Sequence, residues 1–145
     1  MAVAVHGSSD ILIDELFETT NRLRQFVETR LREKGASVAR LRALRMLARA
    51  PEPLRMRDLG EMAGIAARTT TTIVDSLERD GLVERVRHPT DRRAFLLRLT
   101  EDGLRCHREA EETDRLALAE ATATLDPADR ELLRGLLARI RENTG

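Results

Sequence analysis

The feature that most constrains this chain is a change of hydrophobic period at Gly81. Before it, Thr70, Ile73, Val74 and Leu77 recur at i, i+3, i+4 and i+7, the spacing that gathers four side chains on one face of a helix. After it, Leu82, Val83 and Val86 bring apolar and β-branched character at short spacing, as a strand requires. A charged stretch at residues 88–93 interrupts the strand pattern, and Ala94, Phe95, Leu96, Leu97, Arg98 and Leu99 resume it. The pattern predicts a helix over residues 67–80, stopped by a glycine and followed by a hairpin with a charged tip.

Upstream, residues 58–63 predict a shorter helix with Leu59, Met62 and Ala63 as its apolar contacts, and Gly64 supplies the turn between the two. Helix, turn, helix and hairpin together outline a winged helix-turn-helix. The outer face of the second helix holds Ala67, Arg68, Thr71, Thr72 and Asp75, with no bulky apolar group to keep it out of a DNA major groove. The run Thr69 to Thr72 is costly in a helix, because β-branched side chains lose rotamer freedom there. Threonine hydroxyls can bond phosphates and their methyls can touch thymine methyls. The plainer alternative is that Thr70 packs inward while the others are solvated.

The flanks are helical. Leu12, Leu16, Leu23, Val27 and Leu31 mark an amphipathic helix over residues 10–34, ended by Gly35. Ser37 is placed to cap a second helix whose inward residues are Val38, Leu41, Leu44 and Leu47 and which closes before Pro51, and Leu54 and Met56 suggest a short strand or turn. Beyond the hairpin, Thr100 can cap a helix over residues 101–124, weakened in its first turn by Gly103. Asp126 and Pro127 then open a last helix with the stripe Leu132, Leu133, Leu136, Leu137 and Ile140. A winged core needs only residues 37–100, so the apolar stripes at 10–36 and 101–145 call for a partner. Residues 1–9 are expected to be a frayed tail and 10–145 one mostly α domain with a small β wing.

Charge is distributed rather than abundant. The 25 basic and 25 acidic residues cancel, which argues against a generally basic coat. Residues 85–98, however, carry Arg85, Arg87, Arg92, Arg93 and Arg98 against Asp91 alone, about +4. All basic residues but Lys34 are arginine, which suits bidentate contacts to phosphate and guanine and equally reflects a GC-rich genome. The single cysteine, Cys106, excludes an intramolecular disulfide, and no segment reads as a membrane span or signal peptide, so a soluble cytoplasmic protein with no membrane partner is expected.

The segment GLVERVRHPTDRRAFLLRLTEDG, with Leu59, the Gly64 turn and Thr69 to Leu77 upstream, resembles the MarR family of multiple-antibiotic-resistance regulators. The resemblance implies a homodimer built through the terminal helices, with Leu12, Leu16, Leu132, Leu133, Leu136, Leu137 and Ile140 in its seam. It implies double-stranded DNA as partner, with helix 67–80 in the major groove of a palindromic operator and wing 88–93 in the minor groove. Arg68, Thr69, Thr71 and Thr72 would serve the helix; Arg85, Arg87, Asp91, Arg92 and Arg93 would serve the wing, with Asp91 orienting an arginine by ion pairing and Arg93 entering the groove. A small-molecule effector between DNA lobe and dimer helices is a further implication, as is a repressor role. Three positions depart from the family pattern: Arg55 and Ala66 stand where it has Ser or Thr at helix starts, and Thr72 stands where many relatives have a longer polar or basic residue.

Cys106, His107 and His88 lack the spaced pairs of a metal site, and the oxidation-sensing branch of the family carries its cysteine near the N-terminus instead. No nucleophile, base and orienting acid recur in a catalytic pattern, and no phosphate-cradling glycine loop is present, so neither enzyme nor cofactor is expected. A DNA-binding regulator therefore stands against a protein-interaction module that keeps the winged fold without an operator. Salt-dependent binding to upstream intergenic DNA, compared with random DNA, separates the two.

Overall fold

The computed structural model describes residues 8–145. The chain forms α1 (Ser8–Glu33), α2 (Val38–Arg49), β1 (Leu54–Arg55), α3 (Met56–Ala63), α4 (Ala67–Arg79), β2 (Val83–Arg87), β3 (Phe95–Leu99), α5 (Glu101–Ala121) and α6 (Pro127–Glu142). Most of the tail expected at the N-terminus, residues 1–7, lies outside the described residues, and α1 already includes Ser8 and Ser9.

The core is aliphatic, as a chain with three phenylalanines and neither Trp nor Tyr requires. Leu44 of α2, Leu59 of α3, Val74 and Leu77 of α4, Val83 of β2 and Leu97 of β3 are fully buried in one cluster. Each such side chain contributes roughly 1.5–3 kcal/mol of apolar burial. One cluster thus fixes helix-turn-helix and sheet together. Leu31 and Ala110 extend it to α1 and α5.

The sheet is antiparallel in the order β1-β3-β2, with Arg87 opposite Phe95 at the tip end and Leu54 opposite Leu97 on the other edge. The two-residue strand β1 joins the expected hairpin, being too short for periodicity to distinguish strand from turn. It leads straight into α3, which starts at Met56, two residues before the expected start. The expectation for Met62 fails: it is 54% exposed, because α3 turns Leu59 and Met56 toward the core and leaves Met62 on the outer side. The helix α5 ends at Ala121, three residues early.

Three expected caps form. The Ser37 hydroxyl accepts from Arg40 N–H (3.5 Å), Asp126 Oδ1 from Asp129 N–H (2.8 Å) and Thr100 Oγ1 from Gly103 N–H (3.0 Å). Arg55 cannot cap α3 with an oxygen, but its own N–H donates to Asp58 Oδ2 (3.0 Å), so a carboxylate in the first turn satisfies that amide. Ala66 gives α4 no side-chain cap.

The terminal helices leave apolar surface uncovered. No residue of α6 is buried, and Leu132, Leu133, Leu136, Leu137 and Ile140 remain 40–64% exposed. Leu12 and Leu16 are exposed on α1, beside Ile11, Ile13 and Phe17. Among the described residues no helix is long and apolar enough to cross a membrane.

Gly103 is more than a weak helix former. A Cβ there would lie 2.0 Å from the Leu82 carbonyl oxygen, and that oxygen is held in place by Thr100 N–H (3.1 Å). The first turn of α5 therefore rests directly on the backbone entering the wing. Gly103→Ala should cost about 3 kcal/mol or more, the upper end for overpacking against an atom that cannot move aside, read as a lower midpoint in chemical denaturation. An unchanged midpoint would mean that α5 does not sit against β2 in this way.

Candidate nucleic-acid interface

The outward face of α4 is set by its inward one. Thr70 is 1% exposed and packs against Gly60 of α3, where a Cβ would stand 2.9 Å from Thr70 Oγ1. With Thr70, Val74 and Leu77 buried and Ile73 half-buried, Arg68, Thr69, Thr71, Thr72 and Asp75 are left exposed. Both halves of the helical pattern read from the sequence are present.

The threonine hydroxyls are already engaged. Thr71 Oγ1 donates to Ala67 O (3.0 Å) and Thr72 Oγ1 to Arg68 O (3.1 Å), each four residues back along the helix. Their protons are used within the helix, so what they turn outward is a methyl and an accepting oxygen. Such a surface suits thymine methyls and the amino groups of adenine and cytosine better than phosphate oxygens, which accept.

The wing tip is wrapped on two side chains. His88 Nδ1 accepts from the N–H groups of Thr90 (3.2 Å) and Asp91 (3.1 Å), while Asp91 Oδ1 accepts from Arg93 N–H (3.1 Å). Ala94 N–H donates to Asp91 O and His88 N–H to Ala94 O, both at 3.1 Å, closing the loop onto the hairpin. The Asp91 carboxylate thus holds the Arg93 main chain, and it does not pair with the Arg93 guanidinium as the expected ion pair would. The guanidinium beside its carboxylate is that of Arg55, with Nη1 3.5 Å from Oδ2.

The wing arginines divide into two sets. Arg85 is ion-paired with Asp75 and reaches Glu78 (Nε to Oε2 3.5 Å), so it ties the wing to α4. Arg98 pairs with Glu84 across the strands (2.6 Å). Arg87 lies over the Phe95 ring, 5.8 Å from its centroid. Among the described residues, the guanidinium groups of Arg68, Arg92 and Arg93 have neither ion pair nor hydrogen bond, and all three residues are exposed. Those charges are available to an anion. The ties of Arg55 and Arg85 escaped the sequence because nothing in local spacing brings residue 55 to the tip or 75 to 85.

A second feature lies between α1, α2 and α5: an open groove of about 320 Å³ with Val27, Leu31 and Leu41 on its apolar side and Arg24, Arg45 and Asp114 on its polar side. Arg45 and Asp114 pair across it, and Arg45 Nε and Asp114 Oδ1 are buried with no hydrogen-bond partner among the described residues.

The sequence profile of the MarR family matches residues 34–94. The HTH-type transcriptional regulator YdgJ of Bacillus subtilis is 33% identical over 109 residues, 75% of this chain and 66% of the relative, so the chain spans just under two-thirds of that relative's length. A MarR family protein of Bacillus stearothermophilus superposes with a TM-score of 0.80 at 25% identity, covering 94% of both chains. A Mycobacterium tuberculosis MarR family protein, solved in complex with DNA, superposes with a TM-score of 0.72 at 25% identity, covering 89% of this chain and 96% of the other.

Cys106 stands apart from this surface. Burial pushes its thiol above the ordinary cysteine value, Glu109 adds to the rise and Arg40 opposes it. Less thiolate at neutral pH means slower reaction with electrophiles and peroxide. Alkylation by iodoacetamide should therefore be slower than that of free cysteine at pH 8 and should accelerate only at higher pH. Alkylation faster than free cysteine would show an activated thiol.

Proposed function

Because the chain belongs to the MarR family, we propose that it is a homodimeric DNA-binding transcriptional regulator, a ligand-responsive repressor that sets α4 in the major groove and residues 88–93 in the minor groove of a palindromic operator. The observation that carries this is the set of uncompensated guanidiniums, Arg68 on the outer face of α4 and Arg92 and Arg93 at the wing tip, in a wing whose Arg85 and Arg98 are neutralised by internal ion pairs. Arg68 is suited to bidentate contact with a guanine edge, with Thr69, Thr71 and Thr72 beside it as methyl and acceptor contacts. Arg93 is suited to a narrow A·T minor groove, where the negative potential is strongest. Arg87 is exposed beside the tip and can meet a phosphate, whereas Arg85 supports the wing from α4.

Dimerisation is supported by the uncovered stripes of α1 and α6, which water opposes and a second copy would cover. Two copies would carry two α4 helices to successive major grooves, about one helical turn apart. The groove between α1, α2 and α5 adjoins both the terminal helices and the DNA lobe, so a ligand there can act by preferring one separation of the two lobes.

Two experiments test this. Arg68→Ala should lose ~1 to 3 kcal/mol on the operator and relax preference at about one base pair per half-site, with random DNA affected less. Arg93→Ala should weaken operator and random DNA alike and flatten the slope of log affinity against log salt by up to about one unit per wing. Identical profiles for the two variants would remove the division between helix and wing. Replacing Leu136 and Leu137 with Asp should release monomer or unfolded chain in light scattering, and an unchanged dimer mass would defeat the assigned seam.

A further inference from the structure

We propose that Arg55 is a positioning residue for the wing, holding the tip from the start of α3 so that Arg92 and Arg93 stand in place before DNA arrives. This rests on the DNA-binding role above for its consequence but not for its geometry.

The backbone of Arg55 is fixed twice. It pairs with Leu96 of β3, and its N–H donates to Asp58 Oδ2 at 3.0 Å. From that anchor its guanidinium reaches the tip, with Nη1 3.5 Å from Asp91 Oδ2 and Nη2 3.3 Å from His88 Nε2. His88 Nδ1 accepts two main-chain N–H groups, so in the neutral ring the proton sits on Nε2. The guanidinium then packs beside that nitrogen without donating to it, and Asp91 is its acceptor.

The same carboxylate does two things. Oδ2 faces Arg55 while Oδ1 accepts the Arg93 N–H, so displacing one partner turns the group that sets the other. The paired strands end at Arg87 and Phe95, and the loop beyond them is joined to the helix-turn-helix through this contact. Arg55 and Asp91 side chains are 45% and 43% exposed, a setting in which an ion pair adds little to stability. What it restricts is the geometry of the tip.

The competing role for Arg55 is a direct phosphate contact, and only the positioning role requires coupling to Asp91. Operator affinity would be measured for wild type, Arg55→Met, Asp91→Asn, the double variant and Arg55→Lys. A positioning role requires that Arg55→Met weaken binding roughly 3- to 10-fold, the range of an indirect coupling, that the double variant bind no worse than Asp91→Asn, and that Arg55→Lys recover most of the loss. Equal losses from Arg55→Met with and without Asp91, or tighter binding by Asp91→Asn, would assign Arg55 to phosphate and overturn the proposal.

A second readout needs no DNA. Tryptic cleavage after Arg92 and Arg93 in the free protein should accelerate in both Arg55→Met and Asp91→Asn while the denaturation midpoint stays unchanged. Cleavage at the wild-type rate would overturn the positioning role, even if the wild-type chain failed to discriminate operator from random DNA and the regulatory function fell separately.

Discussion

Burial of Thr70, Val74 and Leu77 on one side of α4 is the constraint on which the rest of the structure depends. Val74 and Leu77 expose nothing, and Thr70 fits against a glycine on α3 with no room for a side chain between them. A helix anchored so closely has little freedom to rotate about its axis, since a turn of one residue would carry Asp75 or Thr71 into an aliphatic core that holds no partner for them. The outer face is therefore fixed by the inner one. Gly103 extends the same rigidity to the wing, because α5 can reach the Leu82 carbonyl only where a side chain is missing.

Overall neutrality does not weaken the case for an anionic partner, because the internal ion pairs sort the charges. Arg85 and Arg98 spend theirs on Asp75, Glu78 and Glu84, which braces the hairpin against α4 and across its own strands. Arg68, Arg92 and Arg93 keep theirs. A surface of this kind binds through a few placed arginines more than through bulk field, so its affinity should depend on how well those few are held. His88 and Asp91 supply that hold by engaging main-chain amides in the tip, and Arg55 joins the tip to the helix-turn-helix.

The fold was largely legible in the sequence, because its long elements carry strong periods and its caps are local. Thr100, Ser37 and Asp126 cap the helices that their chemistry suggests. The exposed face of α4 and the hairpin strands could be read for the same reason. Features that depend on distant contacts could not. Met62 has the spacing of a core residue but faces outward on a helix only eight residues long, which Leu59 and Met56 already anchor to the core. Gly103 reads locally as a helix weakener, and only the crossing backbone of Leu82 reveals why it is needed. Arg55 reads as a poor cap although Asp58 three residues on can compensate it, and the nearness of the wing tip is not visible in spacing. Arg85, expected to serve the wing, is ion-paired with carboxylates of α4 that only the packing of wing on helix brings within reach.

In the proposed regulator, two copies of this chain present two α4 helices and two wings to one duplex. The most direct measurement is selection of duplexes from a random library with the wild-type chain, followed by hydroxyl-radical footprinting of the enriched sequence. Two inverted half-sites centred about 10 bp apart, each flanked by a protected A·T-rich minor groove, are the expected result. A single unpaired half-site, or no enrichment over the starting pool, would contradict it.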